Sequence, residues 1–263
     1  MGENRISLAE KVAIVTGSGR GIGAGIAEAF VEAGAKVALV ARTTPELEAT
    51  AAKLRQAGGE VIAITADVTD FAQLPGIIER TIAAFGKLDV LVNNAGGAPS
   101  RPFLQTSAEE IERIFRLEVT APFELTRLAL RHLLESPGAS IQNTISVGAV
   151  KAPRGFLEHY VVKAALLSLT KCMAADLGPK VRVNAIMPGI VETPALKAII
   201  DKQGPDYRAL ITRQVRVRRI AQPIDIGRAS VFLASDLGAF TTGSVLDLTG
   251  GMVDEISQRY PDL

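Results

Sequence analysis

Short apolar runs separated by longer periodic stretches set the architecture of this chain. The runs at 12–16 (VAIVT), 37–41 (VALVA), 61–65 (VIAIT), 90–93 (VLVN), 140–145 (SIQNTI), 181–186 (VRVNAI) and 244–248 (SVLDL) are apolar nearly throughout. Strands exposed on one face alternate polar and apolar residues, whereas strands buried on both faces do not, so these runs predict a parallel sheet. Stretches 21–33, 45–57, 71–85, 107–135, 156–177 and 223–235 fill the gaps as helices. Strand and helix in alternation form βαβ units, which place helices on both faces of the sheet. The stretch 188–220 breaks the alternation with prolines, glycines and charges (PGIVETPALK, KQGPDY, RQVRVRR), predicting a substrate loop or lid at about 190–220. With no linker, repeat or low-complexity segment, residues 1–263 read as one Rossmann-type α/β domain, a doubly wound sheet of seven strands.

Composition narrows the partners. A net charge of +1 argues against nucleic acid, which calls for a basic excess. The opening residues MGENRISLAEK are too polar and acidic for a signal peptide, and no uncharged apolar run approaches the ~18 residues of a membrane span. Cys172 is the single cysteine, which excludes an internal disulfide and fits a reducing cytoplasm, and it is expected at a core-facing position of a helix. No metal site is expected, and the implied partner is a small molecule.

Chemistry enters at the end of the first strand. Gly17-Ser18-Gly19-Arg20-Gly21-Ile22-Gly23 follows it directly and opens a helix. Glycines let the backbone turn sharply and approach a pyrophosphate, which then rests on the helix N–H groups. An acid ending the second strand would bind the ribose hydroxyls of NAD and repel a 2′-phosphate. Ala41 stands there instead, followed by Arg42, with Arg20 in the neighbouring loop. Two guanidinium groups at one corner suit a phosphate, so NADP(H) is favoured over NAD(H); the alternative is a pair of solvated arginines.

The spelling TGxxxGIG resembles the short-chain dehydrogenase/reductase family, bacterial acyl-carrier ketoreductases and hydroxysteroid dehydrogenases in particular. Further blocks agree in order and spacing from about Leu8 to about Asp254: Asp67-Val68, Asn93-Asn94-Ala95-Gly96 and Pro188-Gly189-Ile190-Val191-Glu192-Thr193. The resemblance implies that Asp67 and Val68 bind adenine, that Asn94, Ala95 and Gly96 line the cofactor cleft, and that Pro188, Gly189, Val191 and Thr193 hold the nicotinamide amide. It also implies a homo-oligomer, usually a tetramer built through 107–135, 156–177 and the C-terminal sheet edge. The family's reacting residues are a Ser, a Tyr, a Lys and an Asn. Ser146 and Lys163 match, the Lys also holding the ribose, but His159 stands at the Tyr position and Glu118 at the Asn position.

Helical spacing makes His159 the alternative proton carrier, because positions i and i+4 share a face and Lys163 is four residues on. Neutral imidazole accepts a proton, and its ordinary pKa of about 6.5 is nearer neutrality than a phenol's. Lys163 and an oxidised nicotinamide disfavour the imidazolium, and Glu118 would offset this if it reached His159 or Lys163. Tyr160, three before Lys163, would serve only if the first helical turn were distorted. Ser146, His159 and Glu118 are also the ingredients of a Ser–His–carboxylate hydrolase, though no GxSxG elbow is present. Two readings stand from different classes. One is an NADP(H)-dependent oxidoreductase interconverting a secondary alcohol and a ketone. The other is a cofactor-binding sensor or inactive partner subunit without dehydrogenase activity. The stretch 147–156 and the lid, with Arg154, Arg213 and Arg216, suit a bulky or an acidic substrate equally.

Overall fold

The computed structural model describes residues 6–97, 100–152 and 155–252. All seven predicted strands form, each within two residues of its expected ends. They are β1 (Val12–Thr16), β2 (Lys36–Ala41), β3 (Val61–Thr65), β4 (Val90–Asn93), β5 (Ser140–Thr144), β6 (Arg182–Pro188) and β7 (Val245–Leu248). They make one parallel sheet in the order β3-β2-β1-β4-β5-β6-β7. The chain winds outward from β1 in one direction and from β4 in the other. At that reversal the two flanking loops part, leaving a crevice at the carboxyl ends of the strands, where such sheets bind ligands.

Helices α1 (Gly21–Glu32) and α2 (Thr44–Gln56) cover one face together with α9 (Pro223–Ala234). Ile26, Phe30, Leu47, Ile226 and Leu233 are buried there against Val15, Val37 and Leu39 of the sheet. Helices α3 (Leu74–Phe85), α4 (Ala108–Phe115), α5 (Ala121–Leu134) and α6 (Leu157–Leu177) cover the other face. Ile77, Leu125, Leu133 and Met173 pack there on Ile14, Leu91 and Ile141. Among the described residues no helix is long and apolar enough to cross a membrane.

Three expectations change. The helix expected over 107–135 is interrupted by a π-helical turn, Arg116–Thr120, between α4 and α5. Pro122 explains it: proline has no N–H to return to Glu118 four residues back, and its ring crowds that carbonyl, so the helix widens by one residue. Cys172 is exposed rather than core-facing. Successive helical residues turn by about 100°, and on α6 Met173 and Ala174 take the inward face.

The stretch 188–220 is structured. It carries α7 (Pro194–Gln203) and α8 (Pro205–Arg213), each opened by a proline whose missing N–H costs nothing at that position. Ile200, Ile211 and Ile220 bury one another with Leu196 and Tyr207, giving the segment a small core of its own. Glu192 clamps its base, accepting from Arg208 Nη1 and Nη2 at 2.8 and 3.0 Å and from Gln222 Nε2 at 2.8 Å. The Arg208 and Gln222 hydrogen bonds lower the Glu192 pKa to about 2 from an ordinary 4.5. A depressed carboxylate contributes its stabilisation above the unfolded value and loses it as pH falls towards the folded one. Amide exchange over 194–213, corrected for intrinsic rates, is therefore expected to quicken between pH 4.5 and pH 2. Arg208→Ala should remove that pH step. An unchanged step in the variant would refute the clamp.

Candidate active site

A cleft of about 550 Å³ opens at the crevice between β1 and β4. Gly17 turns its floor with a positive φ of +67°, and a Cβ there would stand 2.8 Å from the Cα of Ala95. Only glycine fits this crossing. Thr16 Oγ1 accepts from the backbone N–H groups of Asn94 and Ala95 at 2.9 and 3.0 Å, and Asn94 Nδ2 donates to Thr16 O at 2.9 Å. The ends of β1 and β4 are thereby laced together. The first turn of α1 has no side-chain cap, so its N–H groups remain available to an anion. A cradle closed to side chains at the turn and rich in backbone donors fits a dinucleotide pyrophosphate.

Every residue expected to bind the cofactor lines this cleft except Ser18 and Asp67. Ser18 is buried: its Oγ accepts from Val40 N at 2.9 Å and faces Val40 O at 3.4 Å, stapling the loop to β2. Asp67 turns to its own loop, accepting from Thr69 N and Oγ1 at 2.8 and 2.7 Å, and reaches Arg42 Nη1 at 3.6 Å. The sequence reading missed Thr43, Glu46 and Phe156, which also line the cleft. Glu46 matters most, because it pairs with Arg20 at 3.0 Å. The corner expected to hold two arginines free of acids thus holds two arginines each facing an acid. Glu46 was legible in principle, since it lies four residues beyond Arg42 in the first turn of α2.

Ser146, His159 and Lys163 line the same cleft at its inner end, with Thr144 and Gly189. Ser146 follows β5 and accepts from Gly148 N at 3.2 Å. His159 and Lys163 sit four apart in the first turns of α6. Lys163 Nζ is buried and donates to Thr144 O at 2.6 Å. Glu118 reaches both: Oε2 lies 3.0 Å from Lys163 Nζ, an ion pair set off the direction of a hydrogen bond, and Oε1 lies 4.0 Å from His159 Nδ1. Oε1 also accepts from Gly97 N at 2.6 Å, and the missing Cβ of Gly96 makes room for the carboxylate, since it would stand 2.9 Å from Oε1. The π turn after α4 is what carries this fully buried side chain under the cleft. Burial, then the Lys163 charge, lower the His159 pKa below 6.5 against the opposing pull of Glu118 and Glu158. Both effects favour the neutral imidazole.

Tyr160 is not brought to this site. The first turn of α6 is regular, and the phenol ring packs over Gly148 in the space a Cβ would fill. Tyr160 lines a separate hollow with Arg101, Phe103 and Val161, where burial pushes its pKa up. No hydrogen bond among the described residues joins Ser146 to His159, and Glu118 Oε1 stands 4.0 Å from His159 Nδ1, beyond hydrogen-bond reach, so a hydrogen-bonded Ser–His–Glu hydrolase chain is not assembled. Arg216 lines a third hollow with Lys151, Val147 and Met187, while Arg154 lies outside the described residues. No group of three or more His, Cys, Asp or Glu among the described residues could hold a metal ion.

Comparison with known proteins agrees with this fold. A family model described as enoyl-(acyl carrier protein) reductase matches residues 17–253. An uncharacterised oxidoreductase of Mycobacterium tuberculosis is 41% identical over 261 residues, covering 97% of each chain. A structure of 7α-hydroxysteroid dehydrogenase complexed with NADH and 7-oxo glycochenodeoxycholic acid superposes with a TM-score of 0.90 at 33% identity, covering 98% of this chain and 100% of that one. An NADPH-bound short-chain oxidoreductase from Pseudomonas aeruginosa, containing an atypical catalytic centre, superposes with a TM-score of 0.89 at 32% identity, covering 95% and 99%. Sequence, sheet order and cleft together assign the chain to the short-chain dehydrogenase/reductase family of oxidoreductases.

Proposed function

We propose that the chain is an NADP(H)-dependent oxidoreductase that interconverts a secondary alcohol and a ketone, with His159 carrying the substrate proton. The observation that carries this reading is the convergence of Ser146, His159 and Lys163 at the inner end of a dinucleotide cleft. A nicotinamide supplies the hydride donor or acceptor when bound. Ser146 orients the substrate oxygen, and the buried Lys163 sets the charge beside the ribose and the imidazole. The Pseudomonas oxidoreductase supports the reading, since it pairs NADPH with a catalytic centre described as atypical. Purified protein should turn over members of a panel of secondary alcohols and ketones, from small cyclic compounds to hydroxysteroids, followed by nicotinamide absorbance. Silence across the panel with both cofactors would overturn the proposal.

The cofactor choice rests on Arg20 and Arg42. Their partners Glu46 and Asp67 are partly exposed, so a 2′-phosphate can replace them at the guanidinium groups. A hydrogen bond to a charged group is worth about 1.5–3 kcal/mol. Arg20→Ala with Arg42→Ala should therefore weaken NADPH binding by at least about 10-fold and leave NADH nearly unchanged. Calorimetric titration of the two cofactors checks it, and tighter NADH binding by the unaltered protein would reverse the assignment. We further propose a homotetramer in the cytoplasm, associating through the α4–α6 face, where Phe103, Phe115, Phe123 and Val161 are exposed. Sedimentation velocity tests the assembly.

One observation favours a second reading, a cofactor-binding protein without turnover: the Lys163 ammonium is already held by Glu118 and Thr144. Tight NADPH binding with no hydride transfer would support it.

A further inference from the structure

We infer that Glu118 fixes His159 in the Nδ1–H tautomer, so that Nε2 presents a bare lone pair to the substrate and the site works as a base. This rests on the oxidoreductase reading and specifies the proton step within it. Glu118 is here a positioning residue, and His159 is the group that meets the substrate.

The argument is geometric. His159 Nδ1 is buried without a hydrogen-bond partner, and the carboxylate oxygen Glu118 Oε1 lies 4.0 Å from it. A lone pair on Nδ1 would face a carboxylate across that gap, which is repulsive; an N–H would face it favourably. The tautomer is set by what the inner nitrogen meets. The outer nitrogen, Nε2, is left to the cleft that His159 lines. Glu118 itself does not swing away, because Gly97 N–H and Lys163 hold its two oxygens and the absent side chain of Gly96 gives it its seat.

The other groups around the ring do not contest this. Lys163, four residues on along α6, bears on the ring as a positive charge and disfavours the imidazolium. Glu158, the preceding residue, is fully buried with neither oxygen hydrogen-bonded, and it draws the ring the other way. Tyr160 stacks its ring at 5.6 Å, tilted, and offers no charge. Ser146, from the loop after β5, lies on the cleft side.

The step balances as an alcohol oxidation. The O–H bond of the alcohol breaks, its proton goes to Nε2, and its electron pair becomes the second bond of C=O. A bound oxidised nicotinamide would take up the carbinol C–H pair as hydride. The imidazolium so formed faces the Glu118 carboxylate across 4.0 Å. Reduction needs that imidazolium at the start, and burial beside Lys163 makes it scarce at pH 7. Oxidation kcat/KM should then rise through a pKa below 6.5 and stay flat across neutral pH, and reduction kcat/KM should fall about tenfold per pH unit above it.

The decisive experiment needs no substrate. The chain has two histidines, so ¹⁵N-imidazole NMR of the whole protein between pH 5 and pH 9 gives two resolvable spin systems, assigned with His159→Gln. The expected spectrum shows His159 as the Nδ1–H tautomer at neutral pH. In Glu118→Gln the tautomer preference should drop severalfold and the titration midpoint should fall. An Nε2–H tautomer in the unaltered protein, or a ring fully protonated at pH 7, overturns the inference even if turnover is found. Absence of turnover with the Nδ1–H tautomer present would fail the oxidoreductase reading alone.

Discussion

Glu118→Leu is expected to lower the unfolding free energy by about 3–5 kcal/mol, because it strips the partner from a buried charge. Among the described residues Lys163 Nζ would keep the carbonyl of Thr144 as its one hydrogen-bond acceptor, and Gly97 N–H would lose its acceptor. A buried ammonium without a counter-charge is costly because water is replaced by a medium that screens it poorly. Removing both charges should hurt less than removing one, so Glu118→Leu with Lys163→Met should be more stable than Glu118→Leu alone. Urea unfolding of the two single variants and the double gives the coupling. A loss under about 1 kcal/mol in Glu118→Leu would mean the pair is solvated rather than buried as described.

That pair also separates what could be read from the sequence and what could not. The seven strands were legible because burial on both faces leaves an unbroken apolar run. The glycine loop was legible because a sharp turn against a neighbouring strand admits no side chain at Gly17. The register of His159 and Lys163 was legible because a helix fixes it. Glu118 was located as a departure at one position, but its partners depended on a π turn that helical periodicity does not announce; Pro122 was the only local sign. The helices α7 and α8 are not legible because their prolines and charges look like loop composition, while the apolar cluster of Ile200, Ile211 and Ile220 spans segments that meet only in three dimensions. Ser18 shows the converse. Its place in a binding motif suggested a ligand contact, yet its hydroxyl is turned to Val40.

His159→Ala should reduce turnover by about 100- to 10,000-fold, the usual contribution of a positioned acid or base, with NADPH affinity nearly unchanged. His159→Tyr is the sharper test, since it restores the residue that short-chain reductases use. A phenol depends on a nearby ammonium to lower its pKa, and here Glu118 sits 3.0 Å from that ammonium and offsets its charge. Tyrosine alone should therefore recover little activity, whereas His159→Tyr with Glu118→Asn frees Lys163 and should be at least about 10-fold more active than the single variant. Tyr160→Phe should change nothing, because that ring lies outside the cleft. Steady-state kinetics at several pH values separate the outcomes. Full activity in His159→Tyr alone would show that Glu118 does not govern Lys163, and a large loss in Tyr160→Phe would return the proton to the phenol. With the expected pattern, histidine and glutamate act as one coupled replacement for tyrosine and asparagine, because each makes sense of the charge the other leaves behind.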